Sequence, residues 1–458
     1  MTAAVEQVAL DPGLGERLAG FAVERPRAGE RTEGHVLRLA GWVAGRAGAA
    51  RAVEVVYHGR AIQVAPARGV RDDVGVAEAT AWEALVGLVG LRPDAELELH
   101  VVLEGEERVP AARLRLRRAA LRSGFEARLQ PLILTSLGRS GSTWLMKMFA
   151  AHPEIVVMRH FPYESSAAKY WMHALKVLSD PADLTQSAHP DTFHSDWYWV
   201  GSNPYYDVPA LDHPARARWL SAEHVERLAR FFCETAEQWY LAVAESQGQE
   251  GPRYFAEKHL WPNFLPMLMR ELYPGAREVF LVRDFRDMAC SALLADERRG
   301  FAGFGRDPGT SEEDYVRDVV HRMATDLRRS WEARGTGAHL VRYEDMAQRP
   351  QETLTALLSY LDLDAAPNTV AEVLRLAAED VPGLPGTSFD PALVSRHRSG
   401  GAPQDSIGRW LERDGAFREI LNDVLGDALA AFGYELPGRA AARGTLAAGT
   451  PRSRHQEE

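Results

Sequence analysis

The sequence predicts an α/β fold, in which helices flank a central parallel sheet, preceded by a small all-β domain. Two short apolar runs, at 131–135 and 278–282, are each followed by a helical pattern, which indicates the α/β part. Five short, partly alternating runs between residues 34 and 118 indicate the β part. The chain has 458 residues, enough for two or three domains.

The N-terminal region is predicted in two pieces. Residues 1–30 are rich in glycine, proline and charge, and are expected to be irregular. Residues 31–120 are expected to form a sandwich-like accessory domain, with His58-Gly59 as a two-residue hairpin turn. The α/β domain then spans 121–436, and residues 437–458 are expected to be a disordered tail.

The α/β domain alternates strands with amphipathic helices. A third strand is predicted at 339–343, in addition to the two runs above. Ser221 can cap one long helix, and Tyr315 begins an i, i+4 apolar stripe on another. This alternation is typical of a parallel sheet.

Composition excludes several function classes. There are 53 basic and 64 acidic residues, a net charge of −11, which argues against a nucleic-acid partner. The two cysteines, Cys233 and Cys290, imply no disulfide framework. No run approaches the ~20 apolar residues of a membrane span, and the first residues lack a signal-peptide pattern. We therefore expect a cytoplasmic protein without membrane insertion; the oligomeric state is not predicted.

The segment LILTSLGRSGSTWLMKM, at 132–148, is the most informative motif. A strand that turns through small residues into a helix directs backbone N–H groups at one point, which forms a cradle for an anion. Ser140, Ser142 and Thr143 add hydroxyl donors, and Arg139 adds a forked positive charge suited to phosphate or sulfate. A plain turn that caps a core helix is the alternative.

The loop is P-loop-like but does not match a Walker A motif. With Gly141 as the second glycine of that motif, Ser136 falls on the first glycine and Ser142 on the lysine. The basic residue lies inside the loop instead, at Arg139. Hydrolysis of ATP or GTP is therefore the weaker hypothesis.

These residues resemble the 5′-phosphosulfate loop of sulfotransferases that use 3′-phosphoadenosine 5′-phosphosulfate (PAPS). Golgi and many bacterial members carry arginine at the first loop position, as this chain does. In VFLVRDFRDMACS, Arg283 and Ser291 have the eight-residue spacing of the family's 3′-phosphate site, although Phe285 stands where proline is frequent. The resemblance assigns the cofactor loop to Arg139, Ser140, Gly141, Ser142, Thr143 and Trp144.

Two further segments extend the resemblance to 132–434. The segment that begins LVRYED is similar to a family element whose tyrosine contacts adenine, which implies this role for Tyr343. Near the C-terminus, RHRSGG resembles a loop that closes over the nucleotide. Arg398, Ser399 and Gly400 are its nearest equivalents, with serine in place of the usual lysine.

Glu257-Lys258-His259 supplies candidates for the chemistry. The resemblance places a lysine at the sulfonate, so Lys258 and Arg139 are expected to neutralise charge at the bridging oxygen. His259 is the preferred general base, because an ordinary imidazole titrates near neutral pH. Glu257 fits the E-K pattern of carbohydrate-type members, and His160 falls where some members place a catalytic glutamate. Strand alternation puts Glu257 and His259 opposite Lys258, so the segment must bend if they share a site.

The sequence thus predicts transfer of a sulfonate group from PAPS, as co-substrate and without a metal, to a hydroxyl group of a small-molecule or glycan acceptor. Residues 171–261 contain six of the eleven tryptophans, and two or three of them are expected to line the acceptor pocket. A P-loop-type nucleotide kinase, or a non-catalytic protein that binds an anion or a carbohydrate on the same fold, is the alternative. The acceptor itself is not predicted.

Overall fold

The structure is a computed structural model, and it describes residues 2–46, 48–159, 163–181, 213–260, 265–334, 337–378 and 402–436. It contains an N-terminal region of antiparallel sheets and a C-terminal region built on one parallel sheet. The predicted fold class is therefore confirmed. None of the described helices is long and apolar enough to cross a membrane.

The N-terminal region consists of two antiparallel sheets that enclose one apolar core. Strand order is β3-β1-β10-β9-β5-β6 in one sheet and β2-β4-β8-β7 in the other. The predicted hairpin turn is present, since β5 ends at Tyr57 and β6 begins at Arg60. The strands are β1 (Thr2–Leu10), β2 (Leu18–Arg25), β3 (Arg31–Glu33), β4 (Val36–Gly45), β5 (Ala50–Tyr57), β6 (Arg60–Pro66), β7 (Arg68–Val70), β8 (Thr80–Gly87), β9 (Asp94–Leu103) and β10 (Arg108–Arg118).

The prediction that residues 1–30 are irregular is wrong. β1 and β2 lie within them, and each belongs to a different sheet. Ala3 and Val5 are buried, and Val5 pairs with Leu116 of β10. The glycines and charges that suggested an irregular segment are concentrated in the connections between strands, where they do not prevent pairing.

The C-terminal region is built on a five-stranded sheet in which every pair of neighbouring strands is parallel. Its order is β12-β13-β11-β14-β15, so β11 is central. The loop after β11 therefore opens at the carboxyl edge of the sheet, where ligands bind in open α/β folds. The strands are β11 (Gln130–Ser136), β12 (Ile155–Val156), β13 (Tyr254–His259), β14 (Arg277–Val282) and β15 (His339–Arg342).

Helices cover both faces of this sheet, because its strands are apolar on both sides. The α-helices are α1 (Leu14–Arg17), α2 (Ser142–Ala151), α3 (Ala167–Ser179), α4 (Pro214–Arg218), α5 (His224–Ser246), α6 (Leu265–Leu272), α7 (Phe285–Arg299), α8 (Glu312–Asp314), α9 (His321–Arg334), α10 (Tyr343–Gln348), α11 (Pro350–Tyr360), α12 (Pro367–Ala378) and α13 (Gly415–Ala431). Short π-helical turns, Trp219–Glu223 and Tyr315–Val320, lead into α5 and α9, and short 3-10 turns are Asp72–Val74, Pro403–Ser406 and Arg409–Glu412.

The two regions share contacts at their junction. The Arg118 guanidinium donates to the Glu271 carboxylate at 2.8 Å, and both side chains are almost fully buried. Val89 of the N-terminal region lies in the same apolar cluster as Leu121 and helices α3 and α5. The N-terminal sheets are therefore packed against the α/β region rather than linked to it only by the chain.

Candidate active site

The candidate site is built around the loop that connects β11 to α2. Gly141 caps α2 with a φ of +86°, in the left-handed region that glycine adopts at little cost. A Cβ atom at Gly141 would lie 2.5 Å from the Tyr343 ring, so the glycine is also required by close packing. The Trp144 ring lies edge-on to the Tyr343 ring, with 6.2 Å between the two ring centres. The loop and the Tyr343 segment, 200 residues apart in sequence, are thus brought into contact.

The two predicted phosphate motifs also meet. Arg139 Nε donates to Ser291 Oγ at 3.2 Å, and Arg283 Nη1 donates to the Arg139 carbonyl oxygen at 3.1 Å. Burial lowers the pKa of Arg139 to about 10, and the nearby charges of Arg283, Arg299 and Arg298 act in the same direction. A group of cations whose charges lower the pKa of Arg139 creates a region that favours an anion.

Arg283 is buried between Tyr343 and the C-terminal segment. Its guanidinium carbon lies 4.8 Å from the centre of the Tyr343 ring, and Nη2 donates to the Ser406 carbonyl oxygen at 2.6 Å. The Tyr343 hydroxyl contacts Ser406 Oγ at 2.9 Å. This segment is itself fixed to α7, because the Asp287 carboxylate accepts hydrogen bonds from the backbone N–H groups of Gly408 and Trp410.

Two buried polar atoms at this position have no hydrogen-bond partner among the described residues. They are Ser140 Oγ, in the loop, and Arg283 Nε. A buried donor without a partner is costly, and such groups commonly mark a place that a ligand fills. Both are donors next to a cationic cluster, so an anionic ligand such as a phosphate group fits them.

Lys258 extends from β13 toward the same loop. Its ammonium group lies 3.3 Å from Thr143 Oγ1 and forms an ion pair with the Glu164 carboxylate. The Lys258 side chain is 3% exposed, whereas that of Glu164 is 26% exposed. Burial lowers the pKa of Lys258, and the negative charge of Glu164 opposes this effect. A cation and a carboxylate thus lie together at the start of α2.

Glu257 is directed to the opposite face of β13. Its carboxylate accepts the backbone N–H groups of Ala168 at 2.6 Å and Lys169 at 2.8 Å, and it also accepts the Tyr240 hydroxyl. Those N–H groups belong to the first turn of α3, where four donors lack partners within the helix. Glu257 therefore satisfies the N-terminus of α3. Burial raises its pKa, although these hydrogen bonds act in the opposite direction.

His259 lies on the same face as Glu257 and is completely enclosed. Its Nε2 is 3.9 Å from a Glu257 carboxylate oxygen, and neither ring nitrogen has a hydrogen-bond partner among the described residues. Burial lowers the pKa of His259 to about 3. β13 continues as a regular strand through His259, so the bend that would bring this ring to Lys258 does not occur.

Several sequence-predicted residues lie outside the part of the chain that the structure describes. They are His160, Arg398, Ser399 and Gly400, together with Trp197, Trp199 and Trp261. Of the remaining tryptophans in 171–261, Trp171 and Trp239 line a groove between α3 and α5.

Sequence reasoning missed two contributors to the site. Glu164 lies four residues after His160, in the segment where the resemblance implied a catalytic glutamate. Its place in that segment was the only feature of the sequence that could have identified it. Ser406 has no signal of its own in the sequence; it contributes its backbone carbonyl oxygen to Arg283 and its hydroxyl to Tyr343.

The profile of the sulfotransferase family matches residues 131–367, more than half of the chain. Mouse sulfotransferase SULT7A1 complexed with PAP is similar at 15% identity, over 67% of this chain and 87% of that chain, with a TM-score of 0.37. The sulfotransferase domain from the curacin biosynthetic pathway is similar at 16% identity, over 68% of this chain and 100% of that domain, with a TM-score of 0.32. Sulfotransferase STF9 from Mycobacterium avium is similar at 15% identity, over 69% and 79% of the two chains, with a TM-score of 0.33. No curated protein sequence matches this chain. With its loop, its arginines and the family profile in agreement, the chain belongs to the sulfotransferase family.

Proposed function

We propose that this protein transfers a sulfonate group from PAPS to a hydroxyl group of a small acceptor, and that Glu164 is the general base. The observation that carries this proposal is the meeting of Lys258, Thr143 and Glu164 at the start of α2, next to the loop that carries Arg139. A cation for the leaving group and a base for the acceptor are then within reach of one reacting centre.

The donor is proposed to bind with its phosphates over the arginine cluster. The N–H groups at the start of α2 and the Ser140 hydroxyl would hold the 5′-phosphosulfate, and Arg283 with Ser291 would hold the 3′-phosphate. The two unpartnered donors, Ser140 Oγ and Arg283 Nε, support this arrangement. Tyr343 would contact the adenine, since it stacks on Arg283 at the same place.

The reaction moves one group and one proton. The acceptor oxygen forms a bond to sulfur while the bond from sulfur to the bridging oxygen breaks, and that electron pair stays on the phosphate of adenosine 3′,5′-bisphosphate. The acceptor proton passes to the Glu164 carboxylate. Lys258 and Arg139 stabilise the negative charge that develops on the leaving oxygen, and the loop holds the reacting groups in line.

Glu164 replaces His259 and Glu257 in this proposal for geometric reasons. Both of those side chains lie on the α3 face of β13, and Glu257 is committed to the α3 N-terminus. A general base must reach the acceptor proton and must exchange with it. Glu164 satisfies this condition, because its carboxylate is partly exposed and already contacts Lys258.

The base is tested by single-turnover kinetics on Glu164→Gln. We expect the rate of sulfonate transfer to fall by about 10²–10⁴-fold, while the Kd of adenosine 3′,5′-bisphosphate stays near the wild-type value. Glu154→Gln is the matched control, because Glu154 lies in the same α2–α3 connection but pairs with Arg253 at 3.8 Å. A Glu164→Gln protein that keeps its full rate would return the role to His160, Glu257 or His259.

The donor is tested by ligand preference. Adenosine 3′,5′-bisphosphate should raise the melting temperature more than ATP with magnesium does, since Ser142 stands at the position of the Walker A lysine and the cation of this loop is Arg139 instead. The opposite order would favour a nucleotide kinase. Stabilisation by the bisphosphate, without transfer to any acceptor in a broad panel, would favour a non-catalytic binding protein.

A further inference from the structure

An open groove of about 960 Å³ lies between α3 and α5, next to the proposed active site. Its walls are largely apolar, and the aromatic side chains of Tyr170, Trp171 and Trp239 line it. Trp171 is stacked on Phe232 and is held in place, whereas Tyr170 is 65% exposed and Trp239 46% exposed. Large aromatic side chains exposed in a concave surface are typical of a site for a flat apolar ligand.

The groove is joined to the proposed base by consecutive residues. Ser165 and Ser166, which line it, directly follow Glu164 in the chain. Trp239 Nε1 donates to Ser165 Oγ at 2.6 Å, so a wall of the groove is hydrogen-bonded to the residue beside the base. A ligand in this groove therefore lies next to the segment that carries Glu164.

The groove has a cation, Lys169, as the charged side chain of its described lining. Its described lining contains Lys169 and His173 and no aspartate or glutamate. The Lys169 ammonium donates to the Lys258 carbonyl oxygen at 3.3 Å, so this cation is at the end of the groove nearest the reacting groups. Such a lining favours a neutral or anionic ligand and disfavours an ammonium group.

We propose that this groove is the acceptor site, and that it takes an aromatic alcohol, preferably one with a carboxylate group, rather than a sugar. This inference rests on the proposed sulfonate transfer. A sugar carries a hydroxyl group on most of its ring carbons, and each one needs a partner when it is buried. The largely apolar lining supplies few such partners, but it matches an aromatic face and one negative charge.

The test measures binding and transfer separately, with three probes: 2-naphthol, 6-hydroxy-2-naphthoate and N-acetylglucosamine. Calorimetry in the presence of adenosine 3′,5′-bisphosphate should rank the naphthoate first and the sugar last. Trp239→Ala should weaken binding of both naphthols by about tenfold or more, the loss expected for one stacking contact. Lys169→Met should remove the preference for the naphthoate and leave 2-naphthol binding near the wild-type value.

Phe231→Ala is the matched control, because Phe231 is an exposed aromatic residue on α5 that does not line the groove. It should bind all three probes as the wild type does. Tighter binding of N-acetylglucosamine, or equal losses in Phe231→Ala and Trp239→Ala, would overturn the assignment. If the naphthols bind as expected but no sulfonate is transferred from PAPS, the proposed function fails while the ligand class of the groove stands.

Discussion

The two faces of strand β13 carry adjacent residues with different tasks. On one face, Lys258 reaches Thr143 and the partly exposed Glu164, at the end of the loop that we propose binds the 5′-phosphosulfate. On the other face, Glu257 and His259 are fully enclosed among α3, α5 and Tyr240. The comparison shows that adjacency in sequence separates side chains in a strand, because successive residues point to opposite sides of the sheet.

Burial lowers a pKa on both faces, but the partners of the two buried groups differ. It lowers the pKa of Lys258, but the partly exposed Glu164 carboxylate opposes this effect. It lowers the pKa of His259 to about 3, and no described residue is hydrogen-bonded to the ring. A buried cation with a partly exposed partner, as Lys258 has in Glu164, is typical of a catalytic site. A fully enclosed imidazole such as that of His259 is more typical of a packed interior.

Among substitutions within β13, Lys258→Met gives the largest expected effect, on the face that we assign to chemistry. Removal of the ammonium should lower the single-turnover rate by about 10²–10³-fold, because the charge on the leaving oxygen loses a preorganised cation. The melting temperature should change little, and measurement at saturating PAPS separates the loss in rate from any weaker binding of the donor. A rate close to that of the wild type would remove the functional distinction between the two faces.

Glu257→Gln should act on stability rather than on chemistry. The amide cannot accept all the hydrogen bonds that the carboxylate now accepts from α3 and Tyr240, so the free energy of unfolding should fall by about 1–3 kcal/mol. Urea denaturation measures this loss, with Glu245→Gln, at an exposed position on α5, as the surface control. A change in transfer rate as large as that of Lys258→Met, with stability unchanged, would contradict the capping role.

His259→Phe should leave the single-turnover rate unchanged and alter only the pH dependence of stability. The pKa of His259 is about 3 in the folded protein and about 6.5 in an unfolded chain. The unfolded chain therefore takes up the proton first, and stability falls as the pH drops from about 6.5 toward 3. The variant should lose this contribution, about 1.4 kcal/mol per pH unit within that window.

His35→Phe offers a matched comparison in the N-terminal region. Burial lowers the pKa of His35 to about 3 as well, far from the active site. In both variants the free energy of unfolding should therefore fall less steeply below about pH 6.5 than it does in the wild type, and by a similar amount. Urea denaturation at several pH values measures this difference. A loss of transfer activity in His259→Phe but not in His35→Phe would restore His259 as a candidate base.

The motif-bearing elements were predictable because their signals are local. The strand-loop-helix unit at 131–153 depends on an apolar run, a glycine-containing turn and a helical pattern within about twenty residues. β1 was missed because its partner strand is remote, whereas β2 pairs with the nearby β4 and was missed because glycine, proline and charged residues surround it. Val5 is paired with Leu116, and no signal within residues 1–30 reveals that a partner strand lies there.

The sequence by itself determined the fold class, the glycine-containing loop between β11 and α2, and the two arginines, Arg139 and Arg283, that we propose hold the donor. Each is encoded in consecutive residues or in a short spacing. Only the tertiary structure decided which members of Glu257-Lys258-His259 reach the site and that Glu164 joins them. The physical reason is that strand pleat and helix packing assign each side chain to a face. Lys258 meets Glu164 across 94 positions of sequence, and that contact exists only after the chain has folded.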